Sequence, residues 1–275
     1  MDRVVTHSPL HRFAQFTAVM TLLLILAGGL VTSTDSGLAV PDWPLSYGTL
    51  FPPMVGGIRF EHTHRLIAGV VAILIAILAV WLRREEPRRW VRRVGYAALG
   101  GVLLQALLGG VTVLRSLPPQ LSIAHACLGQ VIFCLTAAVA YVTAPRFQMS
   151  QLVIGDKPLP HLCLWLTALL LIQLFLGAVV RHTGLGVVPH MISACVVLVM
   201  ATVLVVRFLR LPSTRGTMRR MIAVLAIAIV AQIALGGVAL MHRDSALITT
   251  AHQGLGALIL ATSFILTVLA VWGGS

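Results

Sequence analysis

Residues 161–180 read HLCLWLTALLLIQLFLGAVV, a run of 20 residues without Asp, Glu, Lys or Arg. About 20 apolar residues are enough for an α-helix to cross a bilayer. Comparable apolar runs occur seven more times, at 14–32, 64–82, 95–114, 122–144, 187–209, 218–240 and 249–272. Because a helix satisfies its own backbone hydrogen bonds in lipid, these runs predict an all-α integral membrane protein with eight transmembrane helices.

The composition agrees with this prediction. The chain has 275 residues, of which 58% are hydrophobic and 10% charged, and its mean hydropathy is +0.97. Soluble domains are about 45–50% apolar and about 25% charged. These values exclude a soluble globular enzyme, a disordered chain and a fibrous protein, and no polar stretch is long enough for a large extramembrane domain.

The net charge of +12 is distributed unevenly. Fifteen of the 20 Lys and Arg residues lie in the N-terminal tail and in three alternate loops, and the other five lie on the opposite side: Arg59, Arg65, Arg115, Arg181 and Arg243. The positive-inside rule therefore predicts that both termini are cytoplasmic. This pattern indicates a lipid bilayer, and not nucleic acid, as the partner of the charge. A basic chain whose first apolar run resembles a retained span favours a prokaryotic plasma membrane.

The spans form an internal repeat of helix pairs. Each odd span ends in a glycine-containing motif, and each even span opens with a histidine; these residues are Gly28, Gly109, Gly177 and Gly236, and His64, His125, His190 and His252. Gln105, Gln173 and Gln232 precede the last three glycines by four residues, where the first pair has Leu24. The repeat predicts two four-helix halves, residues 1–146 and 147–275, related by a pseudo-two-fold axis along the membrane normal.

Four ionisable side chains at one depth of a membrane protein indicate a functional site. Two histidines on facing helices can ligate both axial positions of a heme iron, which pairs His64 with His125 and His190 with His252. The alternatives are histidines satisfied within the core and a zinc site, although structural zinc prefers one compact tetrahedral set. The glycines allow either close approach of a macrocycle or ordinary helix packing. The glutamines bond between helices or orient a histidine.

Glu61 distinguishes the first pair from the others. It lies three residues before His64 and therefore on the same helical face, and no other pair has an acid there. A carboxylate beside a heme can relay protons or bind oxygen or water; alternatively, it is a favourable charge at a helix N-terminus. His62 faces the opposite way, and His161, His182 and His242 are expected to face solvent.

The first outer loop, within residues 32–60, is rich in Gly and Pro and contains Trp43, Tyr47 and Phe51. It predicts either a lid over a bound group or an interfacial aromatic anchor. All four cysteines lie in apolar runs, which predicts neither a disulfide nor a thiolate metal site. Arg65, Arg115, Arg181 and Arg243 are candidates for pairing with anionic heme propionates or with lipid headgroups.

Three features together resemble the heme A synthase family: GGLVTSTDSGLAVPDWPLSYG at 28–48, EHTHRLIAG at 61–69, and the single histidine opening spans 4, 6 and 8. The likeness covers about residues 15–272. It implies an enzyme that oxidises the C8 methyl of heme O to the formyl of heme A for terminal oxidases, by two hydroxylations and loss of water from the diol. It further implies that His190 and His252 hold a heme b cofactor. The substrate heme O would lie between His64 and His125, with Glu61 beside the reacting group.

This chain departs from the resemblance at two loop positions. Many bacterial relatives have a cysteine pair where this chain has Val40 and Ser46. Two other functions remain open, a bis-His electron-transfer cytochrome and a heme carrier. The cytochrome is less well supported, because all four histidines lie on one side of the membrane. The expected partners are heme O, an electron donor of unknown identity and the heme O synthase.

Overall fold

The structure is a computed structural model that describes residues 8–145, 158–210 and 216–272. Within these ranges the chain forms eight α-helices, whose bounds are α1 Ser8–Ser33, α2 Ile58–Glu85, α3 Arg89–Leu114, α4 Pro119–Val142, α5 Pro158–Thr183, α6 Val187–Leu209, α7 Gly216–Met241 and α8 Ala246–Trp272. Each helix is long and apolar enough to cross a membrane. The predicted all-α, eight-span membrane fold is confirmed.

All helices except α6 begin earlier than the apolar runs do. The run that predicted the second span opens at residue 64, whereas α2 begins at Ile58 and includes Glu61 in its first turn. The polar residues that precede a span are therefore helical, and the histidines of α2, α4 and α8 lie in the second turn. His182, expected to face solvent, lies in the last turn of α5 and is half-buried.

The helix contacts follow the order expected for two four-helix groups. In α1–α4, here called the first half, each helix packs on the next and α1 closes on α4. In α5–α8, the second half, the same contacts recur and α5 closes on α8. The halves meet through α1, α4, α5 and α8. The predicted division into residues 1–146 and 147–275 stays a prediction, since its boundary lies outside the described residues.

The two halves share one large apolar core, and the first half has two smaller ones. The large core joins buried side chains of both halves, including Ile25, Phe133, Leu166 and Leu266. At the centre of the α5–α8 contact, the buried hydroxyl of Thr167 lies 2.7 Å from Ser263 Oγ and 2.9 Å from Thr267 Oγ1. Such hydroxyl contacts hold helices together in lipid, where apolar burial alone does not.

Small residues allow α1 and α8 to approach closely. A Cβ atom added at Gly29 would lie 2.8 Å from Gln253 Oε1, and one added at Gly254 would lie 2.5 Å from Leu26 Cδ2. Because a larger side chain at either position would overlap its neighbour, these glycines set the separation of the two halves.

A turn at one end of the bundle ties α2 to α4. Glu86 has the extended backbone expected of a residue before proline, and its carboxylate accepts hydrogen bonds from Arg88 at 2.7 and 2.8 Å. Arg88 also donates to the carbonyl oxygen of Val142 at the end of α4. This end lies opposite to the four histidines, and we call the other end the histidine end.

Candidate functional site

All four repeat histidines lie at the histidine end and are partly buried. Each ring faces the repeat glycine of its own helix pair. A Cβ atom added at the glycine would lie 2.9–3.1 Å from Cε1 of the ring, in the pairs Gly28–His64, Gly109–His125, Gly177–His190 and Gly236–His252. The glycines therefore accommodate the imidazole itself, rather than directly a macrocycle or a neighbouring helix backbone.

The imidazoles share a second property. Nδ1 of His64, His125, His190 and His252 is buried and has no hydrogen-bond partner within the described residues. Buried polar atoms normally have partners, and those that lack one commonly mark a ligand, ion or water position. Imidazole nitrogens in an apolar helical frame fit the donor set that heme iron takes from proteins.

The histidines form two pairs rather than one cluster. The side chains of His64 and His125 interact electrostatically, as do those of His190 and His252, and His125 also interacts with His182 of α5. Among residues 8–145, 158–210 and 216–272, no three His, Cys, Asp or Glu side chains converge to hold one metal ion. The geometry therefore does not form the single tetrahedral set that structural zinc prefers.

Two repeat glutamines bond between helices. The side-chain amides of Gln105 and Gln232 each donate to the backbone carbonyl of a repeat histidine, His125 and His252 respectively, both at 2.9 Å. Their Nε2 atoms lie where a Cβ at Gly129 or Gly256 would be 3.1 Å away. Nε2 of Gln173 lies 3.4 Å from Nε2 of His190, and Nε2 of Gln232 likewise lies 3.4 Å from Nε2 of His252. Bonds to a histidine carbonyl of the next helix are thus observed for Gln105 and Gln232, and contacts with the imidazole ring, as the second expected role requires, are observed for Gln173 and Gln232.

Glu61 is almost completely buried, with 3% of its surface exposed. Its Oε2 accepts the backbone N–H of Val40 at 2.8 Å, and its Oε1 accepts a hydrogen bond from Arg65 in the next turn of α2. Both oxygens are therefore bound by groups at the base of the first loop, residues 34–57. The sequence placed Glu61 on the His64 face but did not predict these partners.

His62 fixes the other side of the first loop. Its Nδ1 lies 2.8 Å from Oγ of Ser46, and both side chains are buried. Val40 and Ser46, the two positions at which a cysteine pair was expected in relatives, are thus each attached to α2 by a hydrogen bond. All four cysteines of the chain are free thiols outside this loop.

The first loop covers the histidine end of α3. A Cβ atom added at Gly110 would lie 2.6 Å from the indole ring of Trp43, and Gly110 adjoins the glycine that faces His125. At the matching glycine of the second half, Gly237, no atom of the described residues lies within 4 Å of such a Cβ. Of the two alternatives for the loop, this contact favours a lid on the first half.

Polar contacts also join the halves at the histidine end. Arg181 of α5 donates to Oγ of Ser33, which lies 2.9 Å from Oγ1 of Thr249 on α8. Sequence reasoning missed this cluster, since none of its residues belongs to the repeat. Of the arginines considered for propionates, Arg115 and Arg243 are exposed, whereas Arg65 is bound by the first loop.

Comparison with known proteins identifies the family. The family model described as COX15-CtaA, cytochrome oxidase assembly protein, matches residues 11–56 and 58–189. The chain belongs to the COX15-CtaA family. The matched residues include Glu61, His64, His125 and most of the first loop, and they end one residue before His190. The second pair therefore rests on the internal repeat within this chain.

Individual relatives of this COX15-CtaA member are named heme A synthase. The protein of Lysinibacillus sphaericus is 33% identical over 177 residues, which cover 62% of this chain and 57% of the relative. One from an Exiguobacterium species is 30% identical over 184 residues, covering 65% and 60%. That of Bacillus pumilus is 31% identical over 175 residues, covering 61% and 57%. The matches thus span about three fifths of the relatives' length.

Proposed function

We propose that this chain is a heme A synthase, a heme-dependent membrane oxidoreductase that oxidises the C8 methyl group of heme O to a formyl group. One observation carries the proposal: each of two histidine pairs is packed against repeat glycines and has buried, unpartnered ring nitrogens. Membership of a cytochrome oxidase assembly family supports it, as do the relatives named heme A synthase.

The two pairs have different roles in this proposal. His190 and His252 would hold a resident heme b, which supplies one-electron redox chemistry when bound. His64 and His125 would hold the substrate heme O. The assignment follows the asymmetry of the first half, because only there does a buried carboxylate, Glu61, lie one helical turn from a repeat histidine. Glu61 would carry a proton at the reacting end of the substrate.

The proposed location is the plasma membrane, with both termini cytoplasmic and the histidine end facing outward. The support is the placement of Lys and Arg, which concentrate at the end opposite the histidines. The electron donor and the heme O synthase are proposed partners. Reporter fusions after Trp272 and in the first loop test the topology; a cytoplasmic first loop would contradict it.

The activity is tested by expressing the full chain together with a source of heme O and analysing the extracted hemes. We expect heme A from the wild type and its loss in Glu61→Ala and His64→Ala. The control is His242→Ala, which removes an exposed histidine at the same end and should leave heme A formation intact. Unchanged heme O in the wild type, with a resident heme retained, would contradict the synthase and favour an electron-transfer cytochrome.

The resident site is tested on the purified protein. His190→Ala and His252→Ala should each abolish the low-spin heme b absorption spectrum, because each removes one of the two imidazoles that would hold the iron. His242→Ala again serves as the control. A wild-type spectrum in either ligand variant would contradict the assignment of this pair.

A further inference from the structure

Arg65 contacts four acceptors at the base of the first loop. Its Nη1 donates to the carbonyl oxygens of Asp42 at 2.6 Å and Leu45 at 2.7 Å. Its Nη2 donates to the carbonyl oxygen of Val40 at 2.9 Å and to Oε1 of Glu61. A guanidinium has five N–H donors in one plane, and this arrangement uses both terminal nitrogens of the fork.

These bonds close a ring between the loop and α2. Val40 donates its N–H to Glu61 and accepts a hydrogen bond from Arg65 at its carbonyl, and Arg65 in turn binds Glu61. Val40 itself is fully buried. The carboxylate and the loop backbone therefore hold a common position, which neither Glu61 nor the loop would keep alone.

The same bonds place the indole of Trp43. The two carbonyls that bind Nη1 belong to Asp42 and Leu45, which flank Trp43–Pro44 on either side. The Trp43 ring lies on Gly110, next to the glycine that packs on His125. Arg65 thus connects Glu61 on α2 with the loop segment around Trp43, which lies on α3 at the histidine end of the first half.

No other helix pair has this arrangement. The residue after the repeat histidine is Ala126, Met191 or Gln253 in the other pairs, and the residue three before it is Ser122, Val187 or Thr249. The guanidinium and the carboxylate therefore occur together in the half for which we propose the substrate, and in no other.

We propose that Arg65 is a positioning residue: it fixes the Glu61 carboxylate and loop residues 40–45 as one unit at the histidine end of the first half. This inference rests on the proposed function for its role in the reaction. Lysine would keep the charge but could not replace the planar fork that binds three carbonyls and a carboxylate. The geometry of the guanidinium, rather than its charge alone, is what the site requires.

The test uses the full chain in lipid nanodiscs, with variants Arg65→Lys and Arg65→Gln. The control is Arg59→Lys, because Arg59 is an exposed arginine at the same end of α2, whose recorded side-chain contact is with the ring of Phe60. Hydrogen exchange of the peptide covering residues 38–50 should become roughly tenfold faster in both Arg65 variants, since charge-assisted bonds are lost. Arg59→Lys should exchange as the wild type does. Retention of the second-half heme spectrum verifies folding.

The role in the reaction is measured by separating heme O binding from turnover. In Arg65→Lys we expect kcat for formyl formation to fall roughly tenfold or more, while KM changes much less, because a misplaced group affects the reacting geometry. Wild-type loop exchange in Arg65→Gln, or full turnover in Arg65→Lys, overturns the proposal. Failure of the wild type to form heme A overturns the proposed function instead, and the exchange result alone then decides whether Arg65 holds Glu61 and the loop.

Discussion

The two halves hold their histidines in the same way but cover them differently. In each half, two imidazoles pack on repeat glycines, and each keeps a buried nitrogen that has no partner in the part of the chain that the structure describes. The first half adds a loop of 24 residues between α1 and α2, residues 34–57, which attaches to Glu61, His62 and Arg65. The second half has only residues 184–186 between α5 and α6. Under the proposed function, the repeat glycines and histidines of the second half would suffice to hold a resident cofactor, whereas a substrate that is exchanged and oxidised in the first half would also need the loop and Glu61.

The packing of a repeat histidine is disrupted most directly by a substitution at its repeat glycine. Gly236→Val would place a side chain where a Cβ lies 2.9 Å from Cε1 of His252, so the ring must move. We expect the low-spin spectrum of the second half to be lost, measured by optical absorption of the purified protein. The matched control is Gly237→Val on the same helix, where a Cβ meets no atom within 4 Å. Equal heme content in the two variants would contradict the role of Gly236.

Docking of the first loop on α3 is disrupted by a substitution at Gly110. A Cβ there would lie 2.6 Å from the Trp43 ring, so Gly110→Val should weaken docking of the first loop by about 1–3 kcal/mol. Hydrogen exchange of residues 38–50 should accelerate while the second-half spectrum stays as in the wild type. Gly100→Val, at an open position on the same helix, is the control. Loss of the second-half heme in Gly110→Val would show that docking of the first loop and the histidine packing of the second half are not independent.

Substitutions of the repeat glutamines test how similar the two halves are. Gln105→Leu and Gln232→Leu each remove a 2.9 Å bond to a histidine carbonyl, and each should lower the free energy of unfolding by about 1 kcal/mol. Unfolding in detergent, followed by circular dichroism, provides the measurement. Leu24→Ala, at the pair without a glutamine, removes apolar packing only. If one glutamine variant were neutral and the other strongly destabilising, the two halves would not hold their histidines in equivalent ways.

The smallest expected effect concerns the pH dependence of the loop. Asp42 accepts hydrogen bonds from the backbone N–H groups of Tyr47 and Gly48, and these donors, chiefly Gly48, lower the pKa of its carboxyl below the ordinary 3.8. A carboxyl with a lowered pKa stabilises the fold above its ordinary pKa, and this stabilisation is lost as the pH falls through the lowered value.

After correction for intrinsic exchange, the protection of the 42–48 turn should therefore not respond to pH above the ordinary range of an aspartate, and should decrease slightly only below it. Asp42→Asn, which cannot titrate, should lack this acid response after correction for intrinsic exchange. A transition of the wild type near neutral pH would contradict the assignment to Asp42.

The sequence predicted the eight spans and the positions of the repeat glycines and histidines because these features recur along the chain. The apolar runs identified eight spans, and the repeat placed Gly236 and His252 in the same relation as Gly28 and His64. Helix starts were less accurate, since polar residues such as Arg59 precede the apolar run yet continue the helix. Apolar periodicity reports what lies in lipid, and a helix extends beyond that boundary.

The contacts of the first loop with α2 could not be predicted in the same way. Arg65 binds carbonyl oxygens that lie 20–25 residues earlier in the chain, and carbonyls carry no residue identity that a sequence pattern reveals. The sequence assigned Arg65 to propionates or headgroups, whereas the structure gives it to the first loop.

The most direct test of two separate heme sites is the ratio of heme to protein in the purified chain saturated with heme O. We expect two hemes per chain in the wild type and one in either His125→Ala or His252→Ala. The remaining heme should be the resident one in His125→Ala and the substrate in His252→Ala. A ratio of one in the wild type, or loss of both hemes from a single variant, would contradict the account.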